Sequence, residues 1–169
     1  MRTKSTKGQL TPLPKLKKKA QDVFNKWIRE RDKDSGCISC NGDTQQAGHY
    51  FSSGHYSSLT FSELNVNGQC VRCNMFLHGN LIQYRMGLVY RYGEREVHQL
   101  EQDSRYGVKK WSREELEEII KKYNNYIYTM ISYALGGGDF PPVINILKHD
   151  LDGNLIEELI CDTIVYEDS

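Results

Sequence analysis

Two pairs of cysteines constrain this chain more than any other feature of its sequence. Cys37 and Cys40 form one CxxC pair, Cys70 and Cys73 form a second, and twenty-nine residues lie between the pairs. Four thiolates in two such knuckles can close a tetrahedral zinc site, which then fixes where the intervening segment lies. A redox dithiol is the other chemistry that CxxC pairs support. Zinc held by four thiolates keeps no open coordination position, so we expect a structural ion.

From the composition we expect a cytoplasmic protein. Its 169 residues suffice for one moderate core. No apolar run approaches the ~20 residues needed to cross a bilayer. No apolar segment follows the basic N-terminus, so we expect no secretory signal. A reducing cytoplasm favours metal over disulfides for paired cysteines, and we expect the fifth cysteine, Cys161, to be a free thiol.

The zero net charge conceals a strong asymmetry between the two ends of the chain. Residues 1–31 carry ten basic and two acidic side chains, whereas residues 139–169 carry eight acidic and one basic. A basic arm ahead of a zinc module suits a polyanion such as DNA, because each phosphate contact releases counterions. A solvated, disordered tail is the alternative explanation.

Hydrophobic periodicity and turn signals predict an α+β fold in three parts. Residues 1–14 form a basic disordered arm, residues 15–135 a zinc-bracketed domain with helical flanks, and residues 139–169 an acidic β-hairpin extension. The predicted helices cover residues 15–32, 80–92 and 94–105, with another behind a capping box at Ser112 and Glu115. Short strands are predicted at 46–51 and 59–61, and a further helix is predicted to begin at the second cysteine pair.

Three polar residues around the second cysteine pair indicate chemistry beyond a structural metal. His49 lies on a predicted strand, Asn65 precedes Cys70 by five residues, and Asn74 follows Cys73 directly. This order resembles the histidine–asparagine–asparagine layout of the ββα-metal (HNH) nucleases. The resemblance implies that His49 is a general base, that Asn65 holds the loop of the histidine, and that Asn74 binds a divalent cation. An imidazole with a pKa near ~6.5 suits the first role, and a hard cation with oxygen ligands suits the last.

His78 is a second candidate ligand of that cation. It lies four residues beyond Asn74, and on a helix the two side chains would share one face. A plain surface histidine is the competing explanation.

A larger set of short motifs resembles the NinG (Rap) family of lambdoid phage recombination proteins, over roughly residues 21–122. The motifs are Ile28-Arg-Glu-Arg-Asp32, Cys37-Ile-Ser-Cys40, Ala47-Gly-His-Tyr50, Phe61-Ser-Glu-Leu-Asn65, Gln69-Cys-Val-Arg-Cys-Asn74, Gly79-Asn-Leu81 and Tyr84-Arg85. The resemblance implies a zinc-stapled HNH-like core. It also implies a Mg²⁺- or Mn²⁺-dependent endonuclease that acts on branched DNA such as Holliday junctions and D-loops.

Two positions depart from the expected patterns. Many HNH enzymes carry an acidic metal ligand directly before the base histidine, where this chain has Gly48. Metal ligation then rests on Asn74, with waters and phosphate oxygens completing the shell, since magnesium commonly keeps several waters. A basic residue often precedes the Phe-x-Glu-x-x-Asn motif of the family, where this chain has Thr60.

Six basic residues are candidates for contacts with backbone phosphates. They are Arg72, Arg85 and Arg91, together with Lys17, Lys18 and Lys19. The alternative for Arg85 and Arg91 is pairing with acidic neighbours on a solvated helix.

Two other functions and a dimer also remain open. A zinc-containing module that only binds branched DNA would keep the cysteines and the basic arm, and would use His49 and Asn74 structurally. An accessory protein would use its acidic extension to recruit a recombination partner. A junction-cutting enzyme makes two opposed cuts, so we expect a two-fold homodimer, with the helix after Ser112 as the candidate interface.

Overall fold

The computed structural model describes residues 10–134, 148–149 and 155–157 of the chain. The four helices are α1 (Leu13–Asp32), α2 (Leu81–Tyr92), α3 (Glu94–Asp103) and α4 (Arg113–Ala134). The four strands are β1 (Gln46–His49), β2 (Val66–Gln69), β3 (Lys148–His149) and β4 (Leu155–Glu157). The fold is therefore α+β, as the sequence predicts.

The longest helices, α1 and α4, pack against each other to form the first core. α1 begins at Leu13, two residues before the predicted start, because Pro14 fits the first turn of a helix. Its apolar residues recur at helical spacing and are buried, and they meet the matching stripe of α4. The buried members of this core are Leu16, Ala20, Phe24, Trp27, Ile28, Phe61, Val66, Leu116, Tyr123 and Ile127.

The start of α4 confirms the predicted capping box. The backbone N–H of Glu115 donates to Ser112 Oγ at 3.2 Å, and the backbone N–H of Ser112 donates to Glu115 Oε2 at 2.8 Å. The apolar stripe of this helix faces α1 within the same chain. That stripe is therefore used within the chain, and the homodimer through this helix stays a prediction.

β1 and β2 form an antiparallel pair beneath α1, with His49 opposite Val66 and Gln46 opposite Gln69. The strand predicted at residues 59–61 is wrong, since a 3₁₀ turn covers Ser57–Leu59. The true second strand contains Asn67 and Gly68, residue types that are depleted in strands. It is nevertheless fully buried, and hydrogen bonds engage most of its polar side-chain atoms, such as the 2.7 Å bond from Tyr92 Oη to Asn67 Oδ1, although Gln69 Oε1 has no partner among the described residues.

α2 and α3 confirm two more predicted helices and supply the second core. Its buried residues are Ile38, Leu59, Tyr84, Leu88, Val97 and Leu100. Gly93 separates the helices at a φ of 91°, a conformation that glycine adopts at little cost. A 3₁₀ turn at Ser104–Tyr106 continues α3.

The extension predicted at residues 139–169 lies mostly outside the described residues, as does Cys161. Within it, β3 and β4 pair antiparallel. Residues 1–9 of the predicted basic arm are also outside the described part. Among the described helices, none is long and apolar enough to cross a membrane.

Candidate functional site

The four predicted metal-ligating cysteines converge on one point. Their Sγ atoms all lie within 4.8 Å of one another, and those of Cys40 and Cys70 are 3.7 Å apart. Tetrahedral zinc with Zn–S bonds of about 2.3 Å separates neighbouring sulfurs by about 3.8 Å. The donor set and its spacing therefore fit a structural zinc ion, and all four cysteines are free to serve as ligands.

Local hydrogen bonds hold the thiols in these positions. The backbone N–H of Asn41 donates to the Cys37 carbonyl at 2.8 Å, which closes the first knuckle, and Asn80 Nδ2 donates to Cys73 Sγ at 3.5 Å. Burial and the neighbouring thiols raise the pKa of Cys73 to about 12. Although burial raises the pKa of Cys70, the backbone N–H of Cys73 and the adjacent thiols lower it to about 7. Four crowded thiols resist joint deprotonation, which is the electrostatic cost that a dication offsets.

His49 is the last residue of β1, and its ring is half-buried. Its Nε2 lies 3.3 Å from the carbonyl oxygen of Thr60. Because a carbonyl only accepts, this contact assigns the proton to Nε2 and the lone pair to Nδ1. Burial lowers the pKa of His49 and outweighs the opposing effect of the Thr60 carbonyl. The imidazole is therefore neutral near pH 7 and can accept a proton.

Asn65 is fully buried and closes the loop that follows His49. Its Nδ2 donates to the carbonyls of Phe51 and Leu59, both at 3.0 Å, and its Oδ1 accepts the backbone N–H of Phe51 at 2.8 Å. Its own carbonyl accepts the N–H of Tyr50 at 2.9 Å. One side chain thus fixes both ends of the segment between residues 51 and 59.

Asn74 lies in a five-residue π-helix, Arg72–Phe76, rather than in the α-helix that we predicted. Its Nδ2 donates to Gln46 Oε1 at 2.7 Å, at the start of β1. The amide nitrogen is therefore the engaged atom, and Oδ1 is the atom that a hard cation would take. Short π-helical segments occur frequently at functional sites.

Among the described residues, no hydrogen bond joins His49 to Asn74. Asn74 reaches Gln46, at the first position of β1, while His49 occupies the last, about 10 Å further along at the usual strand rise. Strand alternation also gives His49 the same face as Ala47 and Val66, which belong to the core of α1 and α4. Asn74 is therefore anchored to the first residue of β1, and His49 is the last residue of that strand.

Packing around position 48 explains why the chain has a glycine, and not an acidic metal ligand, directly before His49. A Cβ at this position would collide with the side chain of Gln69, which is fully buried. Gln69 Nε2 donates to Gly79 O at 2.8 Å and Ser39 Oγ at 2.7 Å, so the side chain is fixed across the glycine. No larger residue fits here without displacing Gln69.

The remaining candidates divide into free and engaged residues. His78 is exposed, with a φ of 49°, and lies beyond the π-helix, so the predicted shared helical face with Asn74 does not form. Arg85 makes 2.6 Å ion pairs with Glu94 and Glu101, which matches the pairing alternative.

Arg91 is engaged differently from that alternative. It donates to the carbonyls of Ser35 at 3.1 Å and Gly36 at 2.7 Å, and lies 3.7 Å from Asp32. It therefore braces the first cysteine knuckle.

The basic residues of the π-helix and of α1 are more accessible. Arg72 and Lys19 are exposed, Lys17 is half-exposed, and Lys18 is exposed and paired at 3.2 Å with Asp22. Exposed ion pairs of this kind are weak. These four side chains remain candidates for phosphate contacts.

Two supporting residues have a role that the sequence does not predict. Gln46 anchors Asn74, and the buried Tyr84 hydroxyl donates to the carbonyls of Gly48 at 2.8 Å and Asn65 at 3.3 Å. Burial raises the pKa of Tyr84, which keeps this donor protonated. No local pattern marks either residue, because each acts on a partner more than eighteen positions away.

Comparison with known proteins shows which family this chain is similar to. The family model "Bacteriophage Lambda NinG protein" matches residues 1–130. Protein ninG of Escherichia phage 933W is 41% identical over 109 residues, covering 63% of this chain and 53% of that protein. Protein ninG of Escherichia phage lambda is 40% identical over 109 residues, covering 63% and 52%. The figures for Protein ninG of Salmonella phage P22 are 40% over 109 residues, 63% and 53%.

The chain spans about half the length of the curated relatives that it matches. No solved structure matches it. The family model, however, covers more than half of the chain and includes all four clustered cysteines. The chain therefore belongs to the NinG family of bacteriophage proteins.

Proposed function

We propose that this chain is a metal-dependent endonuclease that hydrolyses phosphodiester bonds in branched recombination intermediates such as Holliday junctions and D-loops. The observation that carries the proposal is the position of Asn74, which a zinc-type cysteine cluster holds against the start of β1 while a neutral His49 stands at its end. A scaffold that only needed a metal knuckle would not require either side chain.

His49 would take a proton from the attacking water at Nδ1, since Nε2 faces the Thr60 carbonyl. Asn65 donates to the carbonyl of Leu59, the residue before Thr60, and accepts the backbone N–H of Phe51. By fixing this loop, Asn65 holds the Thr60 carbonyl in place and so keeps the imidazole of His49 in one tautomer. A divalent cation at Asn74 Oδ1 would supply charge stabilisation at the phosphate.

Cleavage of a labelled four-way junction, beside a linear duplex of the same sequence, tests this proposal. With magnesium or manganese added, the wild-type protein should cut the junction. His49→Ala should lose about 10²–10⁴ in rate, as expected for a general base, and Asn74→Ala should lose metal-dependent cutting. His98→Ala, at an exposed histidine on α3, is the matched control and should cut normally.

The second candidate function is a zinc-containing module that binds branched DNA without cutting it. The separation of His49 from Asn74 along β1, together with Gly48 in place of an acidic ligand, favours this function. A zinc-loaded wild type that binds the junction and leaves it intact with every divalent metal would establish it. Unaltered cleavage by His49→Ala would remove the histidine from the mechanism.

A further inference from the structure

The last two residues of the π-helix and the residue after it, Met75–Leu77, form an exposed turn directly after Asn74. This turn exposes three large apolar side chains in a row. Met75, Phe76 and Leu77 are 58%, 73% and 43% exposed. An apolar run of this kind on a protein surface commonly marks a binding site. Nothing in the proposed hydrolysis uses these residues, so they call for a separate role.

The backbone holds this turn in a fixed shape. The next three residues, His78, Gly79 and Asn80, all have positive φ angles of 49°, 89° and 46°. Non-glycine residues adopt such angles only where the surroundings impose them. The N–H of Gly79 donates to the Cys73 carbonyl at 2.9 Å, and the N–H of Asn80 donates to the Leu77 carbonyl at 2.8 Å.

A side-chain contact ties the turn to the sheet as well. Gln46 Nε2 lies 3.4 Å from Met75 Sδ, and the same glutamine accepts the hydrogen bond of Asn74. The exposed turn is therefore attached to both the cysteine cluster and β1. A surface that is already rigid loses little conformational entropy when it binds.

The sequence on both sides of the turn carries basic but no acidic residues, which favours a polyanion as its partner. No aspartate or glutamate occurs between Leu64 and Gly93, whereas Arg72 is exposed in the same π-helix. Apolar and aromatic side chains beside cationic ones fit DNA whose bases are unstacked, because every base offers a face for stacking.

We propose that Phe76, flanked by Met75 and Leu77, packs against an unstacked base step at the branch point of DNA. Apolar wedges that enter a continuous duplex must first pay for unstacking. At a branch the stacking is already interrupted, so the same contact is gained without that cost. The wedge would thereby make binding structure-specific. This inference rests on the proposed function in branched DNA, but it concerns recognition and not hydrolysis.

Affinity measured without magnesium or manganese separates recognition from cutting. The zinc-loaded wild type should bind a four-way junction more tightly than a linear duplex of the same sequence. Phe76→Ala should lose about tenfold in junction affinity and little in duplex affinity, since one base stack is removed. Phe76→Trp should retain the preference. Tyr90→Ala, at an aromatic residue that is 91% exposed elsewhere on α2, should leave both affinities unchanged.

2-Aminopurine placed at the branch point reports stacking directly. Its fluorescence should change when the wild type or Phe76→Trp binds, and should stay close to the free-junction value with Phe76→Ala. Equal junction affinity for wild type and Phe76→Ala would overturn the wedge, even if the wild type cut the junction normally. A wild type without preference for the junction would overturn it too. Loss of self-association in Phe76→Ala, with DNA affinity intact, would instead identify the turn as an interface between two copies.

The failure of the nuclease proposal has a different signature. A protein that never cuts DNA but shows the Phe76-dependent preference would keep the wedge and lose only the hydrolysis.

Discussion

Asp32, the last residue of α1, accepts the backbone N–H of Gly68 in β2 at 2.6 Å through its buried Oδ2. The same carboxylate receives two hydrogen bonds from Arg31, at 2.6 and 2.8 Å, and lies 3.7 Å from Arg91. One carboxylate therefore joins the first core to the sheet and to α2. This junction aligns the strand pair that carries His49.

Replacing Asp32 should destabilise the protein strongly. Asp32→Ala leaves the guanidinium of Arg31, 14% exposed, without its carboxylate partner, and breaking a buried pair typically costs about 3–5 kcal/mol. Urea unfolding of the zinc-loaded protein measures this loss. Asp22→Ala, which breaks an exposed pair with Lys18, should cost less than about 1 kcal/mol. Similar losses for the two variants would show that the junction contributes no more than a surface pair.

Zinc should copurify at one ion per chain, and its loss should unfold the segment between the cysteine pairs. Cys40→Ser removes one of four ligands, so metal analysis should show a large drop in bound zinc. Cys161→Ser is the control and should keep its zinc. Protons compete with zinc for thiolates, so lowering the pH should release the ion. A metal-free wild type with unchanged thermal stability would contradict the structural role.

The stability of the protein should depend on His49 at mildly acidic pH. Burial lowers the pKa of His49 in the folded state, so the unfolded chain binds its proton at higher pH than the folded chain does. The free energy of unfolding should therefore fall as the pH drops below about 6.5, the unperturbed value. His49→Gln should flatten this dependence in urea titrations across pH 5–7.5.

His98→Gln, at a histidine that is exposed on α3, is the matched control variant. Any cleavage activity should also decline in the same acidic range, since a protonated imidazole cannot act as a base. A slope that is identical in wild type and His49→Gln would show that His49 titrates equally in both states.

Gly48 and Gln69 should be energetically coupled. Gly48→Ala forces the new Cβ against Gln69 and should cost about 1–3 kcal/mol, the usual range for overpacking. The same substitution in a Gln69→Ala background should cost clearly less, and a double-mutant cycle in urea measures the difference. Gly54→Ala, where a Cβ meets no atom within 4 Å, is the control. Additive losses in the cycle would mean that the glutamine does not select glycine at position 48.

Some features could be predicted from the sequence because their causes are local. The apolar spacing of α1, the reciprocal caps of Ser112 and Glu115 and the stop at Gly93 each act within a few residues. The cysteine spacing likewise predicts a tetrahedral metal site.

Other features depend on partners that are distant in the sequence. β2 was predicted seven residues too early, because Asn67 and Gly68 look like a loop until Tyr92 and Asp32 bind them. The continuous helix predicted through Asn74 is instead a π-helix followed by left-handed residues, since the Cys73 carbonyl turns back to Gly79. Secondary-structure propensity describes an isolated segment, whereas the conformation of these two segments is determined by hydrogen bonds to other parts of the chain.

The sequence by itself determined the helices, the cysteine cluster and the family, because periodicity, spacing and motif order are written along the chain. Only the tertiary structure decided which polar side chains are free to act. Arg85 and Arg91 are occupied by neighbours, while Arg72 and Phe76 are left exposed. The physical reason is that a polar side chain can bind a ligand only where its hydrogen bonds and charge are not already taken up by other groups of the protein. Those groups come together only when the chain folds.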